Sequence, residues 1–258
     1  LRRRVLAAHP RARWFEYEPL SGDHEREGSR LAFGEPHRVQ ASLDEADVVL
    51  CLDADPLGEH PAALQHAAAF AARRDPEAGP MSRLYVVESS FSLTGGVADH
   101  RLALRSGLLR ALTAALDGLV SARAQPLPEW GPPQPTPDAA FLRDPAVQRF
   151  LGALARDLLA NVGHSVVLAG ARQPPEVHAL VHRLNRLLGN AGRTVKYTAE
   201  PDPERPDPLA ALGGLVRRMR AGQVHTLVML GGNPVYAAPA DLAFGEALGR
   251  VGGSIHLS

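Results

Sequence analysis

Short apolar runs alternate along this chain with stretches in which apolar residues recur at helical spacing. The runs contain few polar positions and many β-branched residues, so they predict strands covered on both faces, as in parallel sheets. The expected fold class is α/β, with doubly wound, mostly parallel sheets and flanking helices. The predicted strands are Val48–Leu52, Leu84–Val87, Ser165–Gly170, His225–Leu230 and Ser254–Leu257, and the predicted helices are Glu25–Phe33, Ala62–Arg73, Ser106–Leu119, Ala146–Asn161, Pro175–Leu188, Leu209–Ala221 and Asp241–Val251.

A proline-rich segment, residues 122–145, interrupts this pattern. Such a density of Pro prevents a helix or a sheet ladder from continuing. We therefore expect one α/β sub-domain over residues 1–121, a Pro-rich connection over 122–145 and a second α/β sub-domain over 146–258. The first residue is Leu1 rather than Met, and the last strand, which we expect to be buried, is followed by Ser258 alone. The sequence is thus expected to be a fragment of a longer polypeptide.

Composition narrows the classes of function. The chain has 28 basic and 28 acidic residues and a formal net charge of zero, so bulk electrostatics favour neither nucleic acid nor an anionic membrane surface. No apolar run approaches the ~18 residues that would cross a bilayer, and we expect no direct membrane span. The single cysteine, Cys51, cannot build an internal disulfide or a four-thiolate cluster. Its position within a strand predicts a packed thiol rather than a metal ligand.

Candidate binding residues follow the predicted strands, where ligands sit in open α/β sheets. The loop in ADVVLCLDADPLGEHP offers two carboxylates, and the loop in VESSFSLTGGVADHRLALRSG offers acids and hydroxyls. The Gly-Gly-Asn-Pro turn in HTLVMLGGNPVYAAPAD is either a structural turn or a close backbone approach to a ligand. The candidate cofactor-binding residues are Asp53, Asp55, Glu88, Ser89, Thr94, Asp99, Gly231, Gly232 and Asn233.

Several of these patterns also have a plainer interpretation. Asp53 and Asp55 can cap the helix predicted near Ala62 or bind a neighbouring loop, and as a metal pair they lack a third ligand in the sequence. His178 and His182 share one face of a predicted helix, where packing is favoured because no third metal ligand accompanies them. A hydrolase and a free-standing nucleotide-binding module are disfavoured, because the chain has no Gly-x-Ser-x-Gly turn, no P-loop and no Gly-x-Gly-x-x-Gly after a strand.

Taken in order, the three loops resemble those of the molybdopterin oxidoreductase family, whose large catalytic subunits bind molybdopterin guanine dinucleotide between α/β domains. The matching stretches are Ala46–Pro61, Val86–Leu109 and Gly231–Pro234, and Arg172–Val195 resembles the family's helix before the last turn. The stretches VVESSFSLTGGVADHRL and GGNPVYAAPADL most resemble the sequences of one branch of the family. That branch is the molybdopterin-like, iron–sulfur-containing subunit of alternative complex III, a bacterial membrane-bound quinol oxidoreductase.

This resemblance implies a part of a membrane-associated respiratory electron-transfer complex that oxidises quinol. The implied partners are the other subunits of the complex, and the implied location is the periplasmic side of the bacterial inner membrane. Iron–sulfur clusters are expected only elsewhere in the parent chain. In the branch named above, this domain stands without the cofactor, as a scaffold in front of an iron–sulfur domain.

Three positions depart from relatives that hold the cofactor. Asp53-Ala54-Asp55-Pro56 replaces their Gly-rich turn, and each carboxylate repels a pyrophosphate by about 1 kcal/mol at ~4 Å even with water-like screening. Ser106-Gly107-Leu108-Leu109 replaces their Pro-Gly-Thr-Asp, and Glu88-Ser89-Ser90 replaces their Asp-Pro-Arg. These changes predict a scaffold with no cofactor and no catalytic residue within an oxidoreductase complex. The alternative, a true molybdopterin guanine dinucleotide-binding part of a molybdoenzyme, stays open because of Gly231–Asn233.

Overall fold

The computed structural model describes residues 1–77, 79–123, 140–203 and 205–257. Its strands are β1 (His37–Ala41), β2 (Val48–Leu52), β3 (Arg83–Glu88), β4 (His100–Ala103), β5 (Ser165–Ala169), β6 (Val195–Ala199), β7 (Thr226–Leu230) and β8 (Gly253–Leu257). Its α-helices are α1 (Arg2–Ala8), α2 (Asp23–Phe33), α3 (Ala63–Ala72), α4 (Leu93–Gly96), α5 (Leu109–Ser121), α6 (Pro145–Ala160), α7 (Pro175–Leu187), α8 (Pro208–Arg220), α9 (Pro234–Ala237) and α10 (Phe244–Leu248). Every predicted strand forms, and a parallel sheet flanked by helices confirms the α/β fold class.

The chain divides into two compact units. The large unit is Gly22–Pro203, and the small unit combines Leu1–Ser21 with Glu204–Ser258. The division predicted at residues 122–145 instead falls inside the large unit, because α5 and α6, on either side of that segment, pack against the same face of one sheet. Most of the Pro-rich connection, residues 124–139, lies outside the described part of the chain.

The central sheet of the large unit has the order β4-β3-β2-β5, and all its neighbouring strands are parallel. Side chains that alternate along β2 enter two separate cores. Leu50 and Leu52 pack with α5, α6 and α7 on one face, whereas Val49 and Cys51 pack with α3 and the β1–β6 pair on the other. All of β2 is buried, as its unbroken apolar run predicts. Cys51 is the packed thiol that the sequence predicts, and burial raises its pKa.

The order of the strands creates a switch point beside β2. The chain proceeds from β2 outward to β3 and then β4, and it returns through α5 and α6 to place β5 on the opposite side of β2. Connections therefore leave the carboxyl ends of β2 and β5 in opposite directions, which is where doubly wound sheets bind ligands. The residues just after these two strands are Asp53 and Gly170.

The strands that the sequence pattern missed are β1, β4 and β6. The first and last of these form a two-stranded antiparallel pair, and their sequences, HRVQA and VKYTA, carry polar residues between the apolar ones. The edge strand β4 is only four residues long and mostly exposed. A search for unbroken apolar runs therefore passes over all three.

The small unit contains the parallel pair β7–β8. Its core joins Leu227 and Met229 of β7 to apolar residues of α8 and α10, so helices cover one face of β7. The other face leaves Val228 and Ile255 about half exposed, at 52% each. The prediction that the last strand is buried is therefore wrong for the described chain, because every residue of β8 is exposed.

Candidate functional site at the carboxyl edge of the sheet

The switch point brings together residues from four loops. Asp53 follows β2, Ser89 follows β3, Ser106 follows β4 and Gln173 follows β5. We refer to these four residues as the edge cluster. Parallel strands end at the same edge of a sheet, so loops that are far apart in sequence meet here.

The Asp53 carboxylate is the centre of the edge cluster. Its Oδ1 accepts hydrogen bonds from the backbone N (3.1 Å) and the hydroxyl (3.3 Å) of Ser89. Its Oδ2 accepts from the Ser106 hydroxyl at 2.7 Å and from Gln173 Nε2 at 2.9 Å. Gln173 Nε2 also donates to Ser106 Oγ at 2.7 Å. Both oxygens of the Asp53 carboxylate therefore accept hydrogen bonds from the same chain.

The backbone at Asp53 is unusual and closely packed. Its φ is 53°, in the left-handed region that Asp tolerates better than most residues. Its carbonyl oxygen presses against Gly170, where an added Cβ would overlap that oxygen. Gly170 N donates to Leu52 O at 2.9 Å, which fixes the approach from the other side. The crevice between β2 and β5 is thus filled by the protein's own backbone and by the bond from Gln173.

Asp55 binds the loop after β3 in a similar way. Its Oδ1 accepts from the backbone N of Thr94 at 3.0 Å and from the Thr94 hydroxyl at 2.5 Å. The same hydroxyl oxygen accepts from Leu57 N at 3.2 Å. Thr94 is fully buried, so the pair ties the first loop to the second. The sequence left open whether Asp55 caps α3 or binds a neighbouring loop, and the structure shows that it binds the loop. The residue before α3 is Ala62, which makes no side-chain cap.

Glu88, the last residue of β3, is buried with a positive partner. Its carboxylate accepts from Arg101 Nε at 2.6 Å and from the Ser92 hydroxyl at 2.6 Å. Arg101 also lies over the Phe91 ring, 4.7 Å from its centroid. A Cβ at Gly95 would overlap the Glu88 carboxylate, so a larger residue there would force the Glu88 side chain to shift. Glu88 is thus neutralised by Arg101 and held within the loop.

Asp99 does not join the other candidates. It accepts from Leu84 N at 2.8 Å, at the start of β3, and therefore lies at the amino edge of the sheet. Arg74 binds both of its oxygens, at 2.8 and 2.9 Å. Burial acts to raise the pKa of Asp99, but the bonds from Arg74 and Leu84 N together hold it below its ordinary value. The sequence placed Asp99 in a ligand loop because the turn that returns the chain to the amino edge gives no clear signal.

A surface cleft of about 530 Å³ also opens at the amino edge. It contains none of the predicted binding residues, because those that lie in the large unit, apart from Asp99, are at the opposite edge. Its lining residues are Glu45, Asp47, Arg73, Gly163, His164, Arg193 and Thr194.

The third predicted loop lies in the small unit, after β7. Gly231 and Gly232 have φ of 68° and 47°, which only Gly adopts freely, and no other described residue comes within 4 Å of where either Cβ would stand. The Asn233 side chain accepts from Val235 N at 3.2 Å and caps the short helix α9. The turn therefore has free space beside its glycines, although Gly231 N donates to Leu257 O at 2.7 Å and Gly232 O lies 2.7 Å from His256 Nε2. Asn233 has a structural role within it.

The candidates together form no recognisable catalytic constellation. In the large unit the carboxylates of Asp53, Asp55 and Glu88 bind hydroxyls, amides or a guanidinium of the same chain. Among the described residues, no group of three or more His, Cys, Asp or Glu side chains is placed to hold a metal ion. Sequence reasoning missed Gln173 as a site residue, although its position just after an apolar strand was a usable signal.

Comparisons with known proteins give weak likenesses. No family model matches the sequence, and none of the curated proteins matches it. The structure is similar to acetylene hydratase from Pelobacter acetylenicus, with a TM-score of 0.45 and 15% identity over 68% of this chain and 25% of that one. It is also similar to the formyltransferase/hydrolase complex from Methylorubrum extorquens in complex with methylofuran, with a TM-score of 0.48 and 18% identity over 91% of this chain and 64% of that one. The chain thus spans less than two thirds of each.

Within the described part of the chain, no helix is both long and apolar enough to cross a bilayer.

Proposed function

We propose that this chain is a molybdopterin oxidoreductase-like scaffold within a membrane-associated respiratory complex that oxidises quinol. Its role there is to position partner subunits and an iron–sulfur domain of the parent chain, without binding molybdopterin itself. Two lines support the proposal: the order and wording of the three loops, and the way the large unit uses its polar edge residues.

The observation that carries the proposal is the bond from Gln173 to Asp53 across the switch point. In a doubly wound sheet this crevice is where a dinucleotide would place its phosphates, close to glycine backbone. Here the crevice holds a carboxylate whose oxygens accept from Ser89, Ser106 and Gln173. A pyrophosphate would have to displace these bonds and then approach an unneutralised anion, which costs about 1 kcal/mol or more at ~4 Å.

The second candidate function is binding of molybdopterin guanine dinucleotide. The free space beside Gly231 and Gly232 favours it, because positive φ and the lack of a side chain let the backbone come close to a phosphate or ribose, although Gly231 N already donates to Leu257 O at 2.7 Å. The residues present at this turn fit a backbone contact. When bound, the group would supply redox chemistry at molybdenum, and Gly231, Gly232 and Asn233 would only help to hold its nucleotide portion.

The test is the cofactor content of the protein expressed from its complete gene with molybdenum in the medium. Molybdenum is measured by mass spectrometry and pterin by fluorescence after acid release, on folded protein whose iron–sulfur centres are intact. The scaffold proposal expects neither species above background. Near-stoichiometric molybdenum and pterin would overturn it, and a loss of both in Asn233→Ala would then assign the turn to the cofactor.

The location and partners are tested on membranes of the native organism. We expect the chain in a detergent-solubilised complex with quinol oxidation activity, released to the periplasmic side by proteolysis of intact spheroplasts. Recovery as a lone protein in the cytoplasmic fraction, with no quinol oxidation in any complex that contains it, would contradict the respiratory assignment.

A further inference from the structure

Helix α2 packs on α7 with very little space between their backbones. Gly28 of α2 is buried, and a Cβ at that position would overlap the Cβ of His178 on α7. Ser29 beside it is fully buried and binds the start of β1 through His37 N, at 2.9 Å. The segment from α2 through β1, residues 22–41, is therefore held to the large unit by one close helix contact and by the β1–β6 pairing.

Two histidines of α7 lie inside this contact. His178 and His182 are only 3% and 2% exposed, and the Nε2 atom of each is buried without a hydrogen-bond partner among the described residues. The His182 ring contacts the rings of Phe33 and Tyr197, with centroids 5.3 and 5.5 Å away. A buried ring nitrogen without a partner takes a proton only at low pH, because the resulting charge would have no partner either.

The groups that face these two imidazoles offer little compensation for a positive charge. From α2 come His24 and Glu25, which precede Gly28 by four and three residues and so share its face. Burial raises the pKa of Glu25, which weakens it as a counter-ion. From β1 comes His37, and from β6 comes the Tyr197 hydroxyl, 3.4 Å from His182 Nδ1.

This environment lowers the pKa values of His178 and His182. Burial first, and then the nearby His24, lower the pKa of His178 to about 4 despite its bonds to the backbone of Gln173 and Gly170. Burial first, and then His178 and His37, lower the pKa of His182 to about 3. A histidine whose folded-state pKa is depressed stabilises the folded contact above its unfolded pKa of 6.5, and that contribution is lost as the pH falls toward the folded value.

We propose that the α2–α7 contact is an acid-sensitive latch, in which protonation of His178 and His182 releases residues 22–41 from α7. The latch also reaches the edge cluster. His24 Nδ1 lies 3.1 Å from the carbonyl oxygen of Gln173, and His178 contacts the backbone of the same loop. Release of the latch therefore removes two supports from the loop that carries the Gln173 side chain to Asp53. This inference does not depend on which function of the chain is correct.

The experiment is hydrogen–deuterium exchange of the whole chain at about pH 7.5 and about pH 5, corrected for intrinsic exchange rates. Each imidazole is expected to lower the protection of α2 by about 30-fold over this interval, and the pair by roughly several hundred-fold, because the two factors multiply. Protection of β3 and α5 should change far less. Unchanged protection of α2, or an equal loss in β3 and α5, would overturn the proposal.

Variants separate the latch from general acid sensitivity. The double variant His178→Asn with His182→Phe keeps a donor toward the Gln173 loop and an aromatic ring beside Phe33, but neither residue titrates. We expect its α2 protection to lose most of its dependence on pH. The control is His164→Asn, an exposed histidine outside the contact, which should respond to pH as the native chain does. A full pH response in the double variant contradicts the latch, and the single variants serve the same purpose if the double variant does not fold.

Discussion

Replacing Gly170 by Ala tests the closure of the switch point directly. The added methyl group would overlap the carbonyl oxygen of Asp53, a backbone atom that cannot rotate away as a side chain can. Because Asp53 is already in the left-handed region, either β2 or the loop after β5 must move. Overpacking of this kind costs about 1–3 kcal/mol. For a unit of this size, that loss lowers the melting temperature by roughly 2–4 °C per kcal/mol.

The matched control is Gly118→Ala in α5. Gly118 is exposed within the helix, and no atom of the described residues lies within 4 Å of an added Cβ. Ala there should stabilise the protein by about 0.5–1 kcal/mol, because Ala has the higher helix propensity. Urea unfolding followed by circular dichroism measures both variants. If Gly170→Ala is as stable as the native protein while Gly118→Ala behaves as expected, the close contact with Asp53 does not exist and the closed crevice is refuted.

Two further substitutions probe buried polar contacts by the same unfolding assay. Thr94→Val removes the hydroxyl that bonds both Asp55 and Leu57 N, and it should lower the free energy of unfolding by about 1–3 kcal/mol. The control is Thr113→Val, which removes a hydroxyl that donates to Leu109 O in its own helix and should lower the free energy of unfolding by about 1 kcal/mol or less. Equal losses would contradict the bridging role of Thr94. Arg183→Met leaves the fully buried Asp117 carboxylate without its cation and should lower the free energy of unfolding by about 3–5 kcal/mol. The double variant that adds Asp117→Leu should recover most of that stability. No recovery would contradict the buried pair.

The architecture of the large unit was predicted best for strands whose sequence is an unbroken apolar run. The run VVLCL has no polar position, and a strand of that kind is stable only with both faces covered, so β2 and its parallel neighbours follow from the pattern. The same rule failed for β8, because the helices of the small unit cover one face of β7 and no residue of β8 enters their core. An apolar run shows that a strand prefers burial, but it does not show what is present to bury it.

The position of the candidate residues in the fold was predicted in part. Asp53, Asp55, Glu88, Ser89 and Thr94 do meet at the carboxyl edge, as the position of each after a strand predicts. Asp99 does not, because the chain between Thr94 and β4 crosses back to the amino edge within a few residues. Gln173 was missed, because its importance lies in a partner 120 positions away in sequence.

The sequence by itself determined the alternation of strands and helices, the parallel sheet and the residue types at the strand ends. These properties depend on periodicity and local backbone preference, which neighbouring residues set. Tertiary structure alone decided that β5 lies beside β2 and that the Asp53 carboxylate accepts hydrogen bonds from Ser106 and Gln173. It also decided that His178 and His182 lie buried beneath α2. Each of these outcomes requires segments far apart in the chain to meet, and their pairing is selected by the packing of the whole unit rather than by any stretch within it.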